Sequence, residues 1–80
     1  MSRRLAAPRP ATVLSDAEGA PRALDGEAVE VLSEEWAVED RWWTRRPLRR
    51  RYFELVLADG RNAVVFRDLY EGGRWFTQSG

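Results

Sequence analysis

One stretch decides the fold of this chain, and it reads Tyr52-Phe53-Glu54-Leu55-Val56-Leu57-Ala58, Asp59-Gly60, Arg61-Asn62-Ala63-Val64-Val65-Phe66-Arg67. An Asp-Gly pair between two alternating runs of β-branched and aromatic residues is a strong signal for a β-hairpin. A two-residue loop at Asp59-Gly60 places Phe53 opposite Phe66 and Tyr52 opposite Arg67. A three-residue loop with a bulge shifts this register by one residue, and the pattern leaves both loops open.

Shorter runs on either side of this hairpin have the same character. Strand-like runs occupy residues 11–15, 22–24, 28–32 and 74–78. The third run continues its alternation through Trp36 and Val38, beyond a kink near Ser33-Glu34. Turns rich in Gly and Asp separate the runs, and no segment has the apolar spacing of an amphipathic helix. We therefore predict an all-β fold, a small antiparallel meander of five or six strands curled into a partial barrel of SH3-like size.

The two ends of the chain differ in character. The first ten residues contain two Pro and three Arg without periodicity, which predicts a flexible basic arm at 1–10 and a single small β domain at 11–80. The central hairpin and the remaining aromatic residues should supply the core of that domain. Its predicted members are Phe53, Leu55, Val64, Phe66, one of Trp42 and Trp43, and one of Trp75 and Phe76.

Composition removes most kinds of chemistry. The 80 residues include no Cys and no His, which excludes disulfides, thiolate metal sites, and the commonest general base and metal ligand. The Ser and Thr hydroxyls have no His, Lys or Cys to activate them. The paired carboxylates have no spacing typical of a metal-dependent nuclease or polymerase. We expect a binding module rather than an enzyme, with no metal and no cofactor.

Charge is balanced in total but segregated along the chain. The 13 basic residues, all Arg, match 13 acidic residues. Residues 16–40 hold nine acids and the single Arg22, whereas residues 41–51 hold six Arg and no acid. The basic part can therefore face a polyanion although the net charge is zero.

No feature of the sequence points to a membrane. There is no run of about 20 apolar residues, and Met1-Ser2-Arg3-Arg4 is not followed by the apolar segment of a signal peptide. We expect a cytoplasmic protein with no membrane partner.

The segment from Arg41 to Phe53 is the candidate binding site. Arginines interleaved with aromatic residues can hold phosphates while bases stack on the rings. The predicted nucleic-acid-binding residues are Arg41, Trp42, Arg45, Arg46, Arg49, Arg50, Tyr52 and Arg67. Tyr52 and Arg67 either extend this surface or stack on each other as a structural pair. In the competing interpretation, a Trp of the segment closes one end of the barrel and the arginines balance the acids of residues 16–40.

Five short motifs follow one another in the second half of the chain. They are Trp42-Trp43, Arg51-Tyr52-Phe53, Asp59-Gly60-Arg61, Phe66-Arg67 and Trp75-Phe76. Their order resembles the small C-terminal module of ImuB-type proteins, the Y-family DNA polymerase-like components of a bacterial mutagenic repair system. The likeness covers about half of the chain, at 36–76, and residues 11–32 loosely. The polymerase-like body and its catalytic carboxylates have no counterpart here, so the resemblance implies a free-standing relative or a fragment with an accessory role.

Two functions of different classes follow. The first is a non-enzymatic accessory module of bacterial DNA repair and translesion synthesis, with single-stranded DNA, a Y-family polymerase or another mutasome protein as partner. The second is a protein-docking module of an unrelated pathway that uses a strand edge or the acidic 27–40 region. The sequence leaves the oligomeric state open.

Overall fold

The part of the chain that the structure describes folds into one curled antiparallel sheet of seven strands. The computed structural model describes residues 7–40, 48–70 and 72–78. The strands are β1 (Arg9–Pro10), β2 (Val13–Ser15), β3 (Pro21–Leu24), β4 (Glu27–Asp40), β5 (Leu48–Leu57), β6 (Asn62–Asp68) and β7 (Arg74–Thr77). Their order across the sheet is β1-β7-β6-β5-β4-β3-β2. The prediction of an all-β antiparallel meander is confirmed, and the described residues form seven strands in place of the five or six expected.

The segment from Arg9 to Ser15 curls the sheet into a half-barrel. Its first part, β1, lies in the stretch predicted as a flexible arm and pairs with β7, whereas its second part, β2, pairs with β3. Between these pairings the Ala11 N–H donates to the Trp75 carbonyl at 3.0 Å, and the Thr12 N–H donates to the Asp25 carboxylate at 2.8 Å. One short segment therefore bonds to both outer strands of the β3–β7 meander.

The loop between β5 and β6 has three residues, so the two-residue loop considered from the sequence is wrong. The Gly60 N–H donates to the Leu57 carbonyl, and the Leu57 N–H donates to the Arg61 carbonyl, both at 2.8 Å. Gly60 has a φ of 90°, as expected for the glycine of a type I turn followed by a bulge. The Arg61 N–H donates to the Asp59 carboxylate at 3.0 Å and holds the pKa of Asp59 below its usual value.

This loop sets a register that differs by one residue from the two-residue alternative. Phe53 lies opposite Val65, and Tyr52 lies opposite Phe66 rather than Arg67. A shift of one residue moves the side chains of one strand to the other face of the sheet. Val65 therefore takes the core position that was predicted for Val64.

The core lies on the inner face of the half-barrel. Its buried members are Leu24, Phe53, Leu55, Leu57, Ala63 and Val65, with Ala11, Val13, Val29 and Trp75 packed against them. The predictions for Phe53, Leu55 and Trp75 are thus confirmed. Phe66 is buried as predicted, but on the opposite face of the sheet, and Val64 is only half-buried. Trp42 and Trp43 lie outside the described residues.

One further detail of the prediction is confirmed in β4. The pairing of β4 with β5 is irregular between Leu32 and Glu34, where the sequence predicted a kink. Asp25 and Gly26 form a two-residue turn with positive φ angles of 48° and 89°, as a type I′ hairpin requires. The described residues contain no helix that is long and apolar enough to cross a membrane.

Replacing Gly60 by Ala should destabilise the domain by about 1–2 kcal/mol, because an L-residue in the left-handed region brings its Cβ against the backbone. No atom lies within 4 Å of the position that the new Cβ would take, so backbone conformation is the main source of the loss. Urea denaturation followed by tryptophan fluorescence measures the change. A synthetic chain with D-Ala at this position is the control and should retain the wild-type stability.

Replacing Phe53 or Phe66 by Ala should cost about 3–5 kcal/mol each, since both side chains are fully buried on opposite faces of the sheet. This loss is comparable with the whole stability of a small domain. Circular dichroism during thermal unfolding measures it. Leu14→Ala is the matched control, because Leu14 is 66% exposed, and it should change the stability by no more than about 0.5 kcal/mol.

Candidate nucleic-acid interface

The predicted site residues divide between described and undescribed parts of the chain. Arg41, Trp42, Arg45 and Arg46 lie outside the described residues. The structure places the other four on the two central strands: Arg49, Arg50 and Tyr52 on β5, and Arg67 on β6.

The described site residues do not share one face of the sheet. Because side chains alternate along a strand, Arg50 and Tyr52 lie on the outer face, whereas Arg49 and Arg51 lie on the inner face. Arg67 is directly opposite Arg51 and shares the inner face. Tyr52 and Arg67 therefore do not form the structural pair that the sequence left open.

A row of four aromatic rings crosses the outer face of the sheet. Trp36, Tyr52, Phe66 and Phe76 lie on four neighbouring strands and are directly opposite one another in the register. Successive ring centroids are 5.3, 5.0 and 5.2 Å apart. Cross-strand aromatic pairs of this kind stabilise a sheet beyond the area that they bury. This ring row forms a second apolar layer, separated from the core by the sheet itself.

Arg50 packs onto the ring row. Its guanidinium lies 4.3 Å from the centroid of the Phe66 ring, and its Nη1 donates to the Tyr52 hydroxyl at 3.1 Å. The Tyr52 hydroxyl in turn donates to the Gln78 side-chain oxygen at 3.3 Å. A positive charge is thereby held against aromatic faces by a cation–π contact and a hydrogen bond.

The two neighbouring arginines pair with acids of β4. Arg49 Nε is 3.7 Å from the Glu39 carboxylate, and Arg51 Nε is 2.6 Å from the Glu35 carboxylate. More than half of the Arg49 side chain is exposed, so its ion pair is worth only about 0–1 kcal/mol. A phosphate can replace Glu39 at Arg49 with little loss of stability.

Arg67 has a structural role at the turn between β6 and β7. Its Nε donates to the Gly73 carbonyl at 2.9 Å, and its guanidinium lies 5.9 Å from the Trp75 ring centroid. A Cβ on residue 73 would come within 2.7 Å of this guanidinium, so the close approach depends on glycine. Among the described site residues, Arg67 therefore stabilises the β6–β7 turn and does not belong to the arginine-rich end of the sheet.

An open depression of about 540 Å³ lies at that end of the sheet, where β4 and β5 pair beyond the core. Its lining combines three arginines, two glutamates and apolar groups: Arg49, Arg50, Arg51, Glu35, Glu39, Trp36, Ala37, Val38 and Leu69. Trp36 and Arg50 border the depression from the outer face of the sheet, and Arg49 and Arg51 border it from the inner face. The depression can receive a planar or anionic group.

Trp36 is the site residue that the sequence did not identify. It was assigned only as part of a strand alternation, yet it ends the ring row and is 38% exposed. Trp36 joins the ring row only because the register between β4 and β5 places it opposite Tyr52. In the sequence, Trp36 lies in the strand that directly precedes the arginine-rich segment, and this proximity could have marked it as a site residue.

Comparison with known proteins adds no family to these observations. No protein-family model, no curated protein and no solved structure matches the chain. Within the described ranges, no group of three or more acidic side chains is arranged to hold a metal ion.

Replacing Trp36 by Ala should lower the free energy of unfolding by about 1–2 kcal/mol, through loss of its stacking on Tyr52 and of partly buried area. Among the described residues, Trp36 stacks on one ring, whereas Phe66 contacts rings on both sides. The loss should therefore be clearly smaller than that of Phe66→Ala in the same urea titration. Equal losses would contradict the assignment of Trp36 to the end of the row.

Proposed function

We propose that this chain is a non-enzymatic accessory module of bacterial DNA repair and translesion synthesis that binds single-stranded DNA. Its partner in that role is a Y-family polymerase or another mutasome protein. The resemblance of residues 36–76 to the C-terminal module of ImuB-type proteins supports the pathway. The arrangement of arginines and rings at one end of the sheet supports single-stranded DNA as the ligand.

The observation that carries the proposal is a depression whose lining combines three arginines with the last residue of the ring row. Arg50 is held over the ring row, which ends in the partly exposed Trp36. Arg49 lines the same depression from the other face of the sheet and is exposed in a weak ion pair. Single-stranded nucleic acid is bound in this way by many proteins, because bases stack on rings while cations follow the phosphates.

The residues take different roles in this proposal. Arg49, with Arg45 and Arg46 of the preceding segment, contacts phosphates. Trp36 and Trp42 offer ring faces on which a base stacks, at about 1–3 kcal/mol per base. Arg50 and Tyr52 position the aromatic surface, because their charge and hydroxyl are engaged within the protein.

The acidic residues of β4 restrict where a polyanion can lie. Glu30 and Glu34 are exposed along the part of β4 that precedes Trp36. They repel phosphates, whereas beyond Trp36 the acidic Glu39 is paired with Arg49 of β5. Phosphates are therefore repelled less at the arginine-rich end than along the first half of β4.

The test is a titration of fluorescein-labelled single-stranded DNA with wild-type protein and a variant in which Arg45, Arg46 and Arg49 are Ser. Arg50 is kept because it holds the ring row. Affinity, measured by fluorescence anisotropy, should fall in the variant. The slope of log K against log salt should become shallower by about 2, at roughly 0.7 per lost phosphate contact.

The matched control changes Arg9, Arg22 and Arg61 to Ser, which removes the same charge from exposed positions elsewhere on the sheet. It should retain most of the affinity. If both variants lose affinity equally while circular dichroism shows them folded, the arginine-rich end is not a specific site and the proposal fails.

A further inference from the structure

The strand β4 has a long edge that no other described strand covers. On one side it pairs with β5 from Val29 to Asp40, but on the other side it pairs with β3 only at Glu27 and Ala28. Its second half, Glu34–Asp40, pairs with β5 residue for residue, without the irregularities at Glu30 and Ser33. Alternate residues of a strand direct their N–H and C=O groups to opposite sides. The described part of the chain thus presents a regular backbone edge of seven residues.

The side chains along this edge are open to solvent. Every residue from Glu30 to Ala37 is exposed, and the exposed residues include Val31, Leu32 and Trp36. A long, regular edge with apolar side chains is a template for pairing with another strand. Proteins that bind peptides by strand addition use such an edge for affinity and its side chains for specificity.

The negative charge of β4 favours some partners over others at this edge. Glu34 lies directly opposite Glu54 on the outer face, so two carboxylates share neighbouring positions there. A cation on an added strand would lie beside Glu34, which is exposed, and would pair with its carboxylate. A second copy of the chain would instead bring a further acidic β4 strand against the first, which like charges disfavour.

The ring row adds a requirement at one position. A strand added to this edge places one of its side chains beside Trp36, on the outer face, at the spacing of neighbouring strands. That side chain would extend the ring row by one position, beyond Trp36. A guanidinium or an aromatic ring fits this position, as Arg50 already does on Phe66.

We infer that the Glu34–Asp40 edge of β4 is a docking site for an extended basic segment of a partner protein, which adds as a strand. The segment places Arg or an aromatic residue against Trp36 and a basic residue two positions away, beside Glu34. This inference concerns a different ligand from the DNA-binding proposal, and the two proposed sites share Trp36.

The probe is a fluorescein-labelled peptide of sequence Thr-Arg-Thr-Arg-Thr-Arg-Thr, which reads the same in either strand direction. Binding to the whole chain is followed by fluorescence anisotropy at low and high salt. Two further peptides carry N-methyl groups, one on the three Arg amides and the other on Thr amides. A strand that pairs through one edge needs only one of these two sets of N–H groups. One N-methylated peptide should bind like the parent and the other should lose roughly tenfold or more.

Two variants of the protein locate the site. Trp36→Ala should weaken peptide binding by roughly 2- to 30-fold, the range of a cation–π contact. Glu34→Gln should weaken it at low salt and less at high salt, while Asp59→Asn, at an exposed position in the loop between β5 and β6, should leave it unchanged. The variant with Arg45, Arg46 and Arg49 changed to Ser should bind the peptide at least as well as wild type, so failure of the DNA proposal is separable from failure here.

Three outcomes would overturn the inference. The first is equal binding of both N-methylated peptides, which means that no backbone edge is used. The second is sedimentation of the free chain as a dimer that Glu34→Arg disrupts, which assigns the edge to a second copy. The third is displacement of the peptide by single-stranded DNA with the same sensitivity to Trp36→Ala, which assigns Trp36 to base stacking.

Discussion

The register between β5 and β6 is the constraint on which the rest of the sheet depends. With Gly60 in the left-handed region, Phe53 faces Val65 on the inner side while Tyr52 faces Phe66 on the outer side. These two central strands bury side chains on both faces, and on each face the flanking strands pack against them. Trp75 packs on Phe53 in the core, and Phe76 stacks on Phe66 in the ring row. A single loop conformation therefore aligns two apolar layers at once.

The fold class was readable from the sequence because alternation and turn residues report local geometry. The register was not, since the same Asp-Gly pair occurs in two different loops of this chain. Asp25-Gly26 forms a two-residue turn, where Asp25 also bonds to Thr12 of the N-terminal segment. Asp59-Gly60 belongs to a three-residue loop. Because Val64 and Val65 are both β-branched, either one satisfies the pattern of a buried strand, and only tertiary packing distinguishes them.

The composition of the candidate site could be predicted from the sequence, but the spatial arrangement of its residues could not. The density of arginines marked the segment, yet it could not show that Arg50 lies on Phe66 or that Arg67 bonds to Gly73. Both contacts join residues that are distant in sequence or separated by a turn. Trp36 was overlooked for the same reason, since its partner Tyr52 lies across the β4–β5 hairpin. The residue types in the sequence thus predicted which side chains could bind a ligand. Pairing between strands determined which contacts each of these side chains makes.

The N-terminal segment has a consequence for how the chain reaches this structure. Strands β3 to β7 join through consecutive hairpins, whose contacts are local and cost little chain entropy to form. Arg9 and Thr77, by contrast, are neighbours from opposite ends of the sequence. We expect the five-stranded meander to form first and the segment from Arg9 to Ser15 to dock last. Until it docks, the outer edges of β3 and β7 both present free backbone groups, so the undocked intermediate is the species most exposed to aggregation.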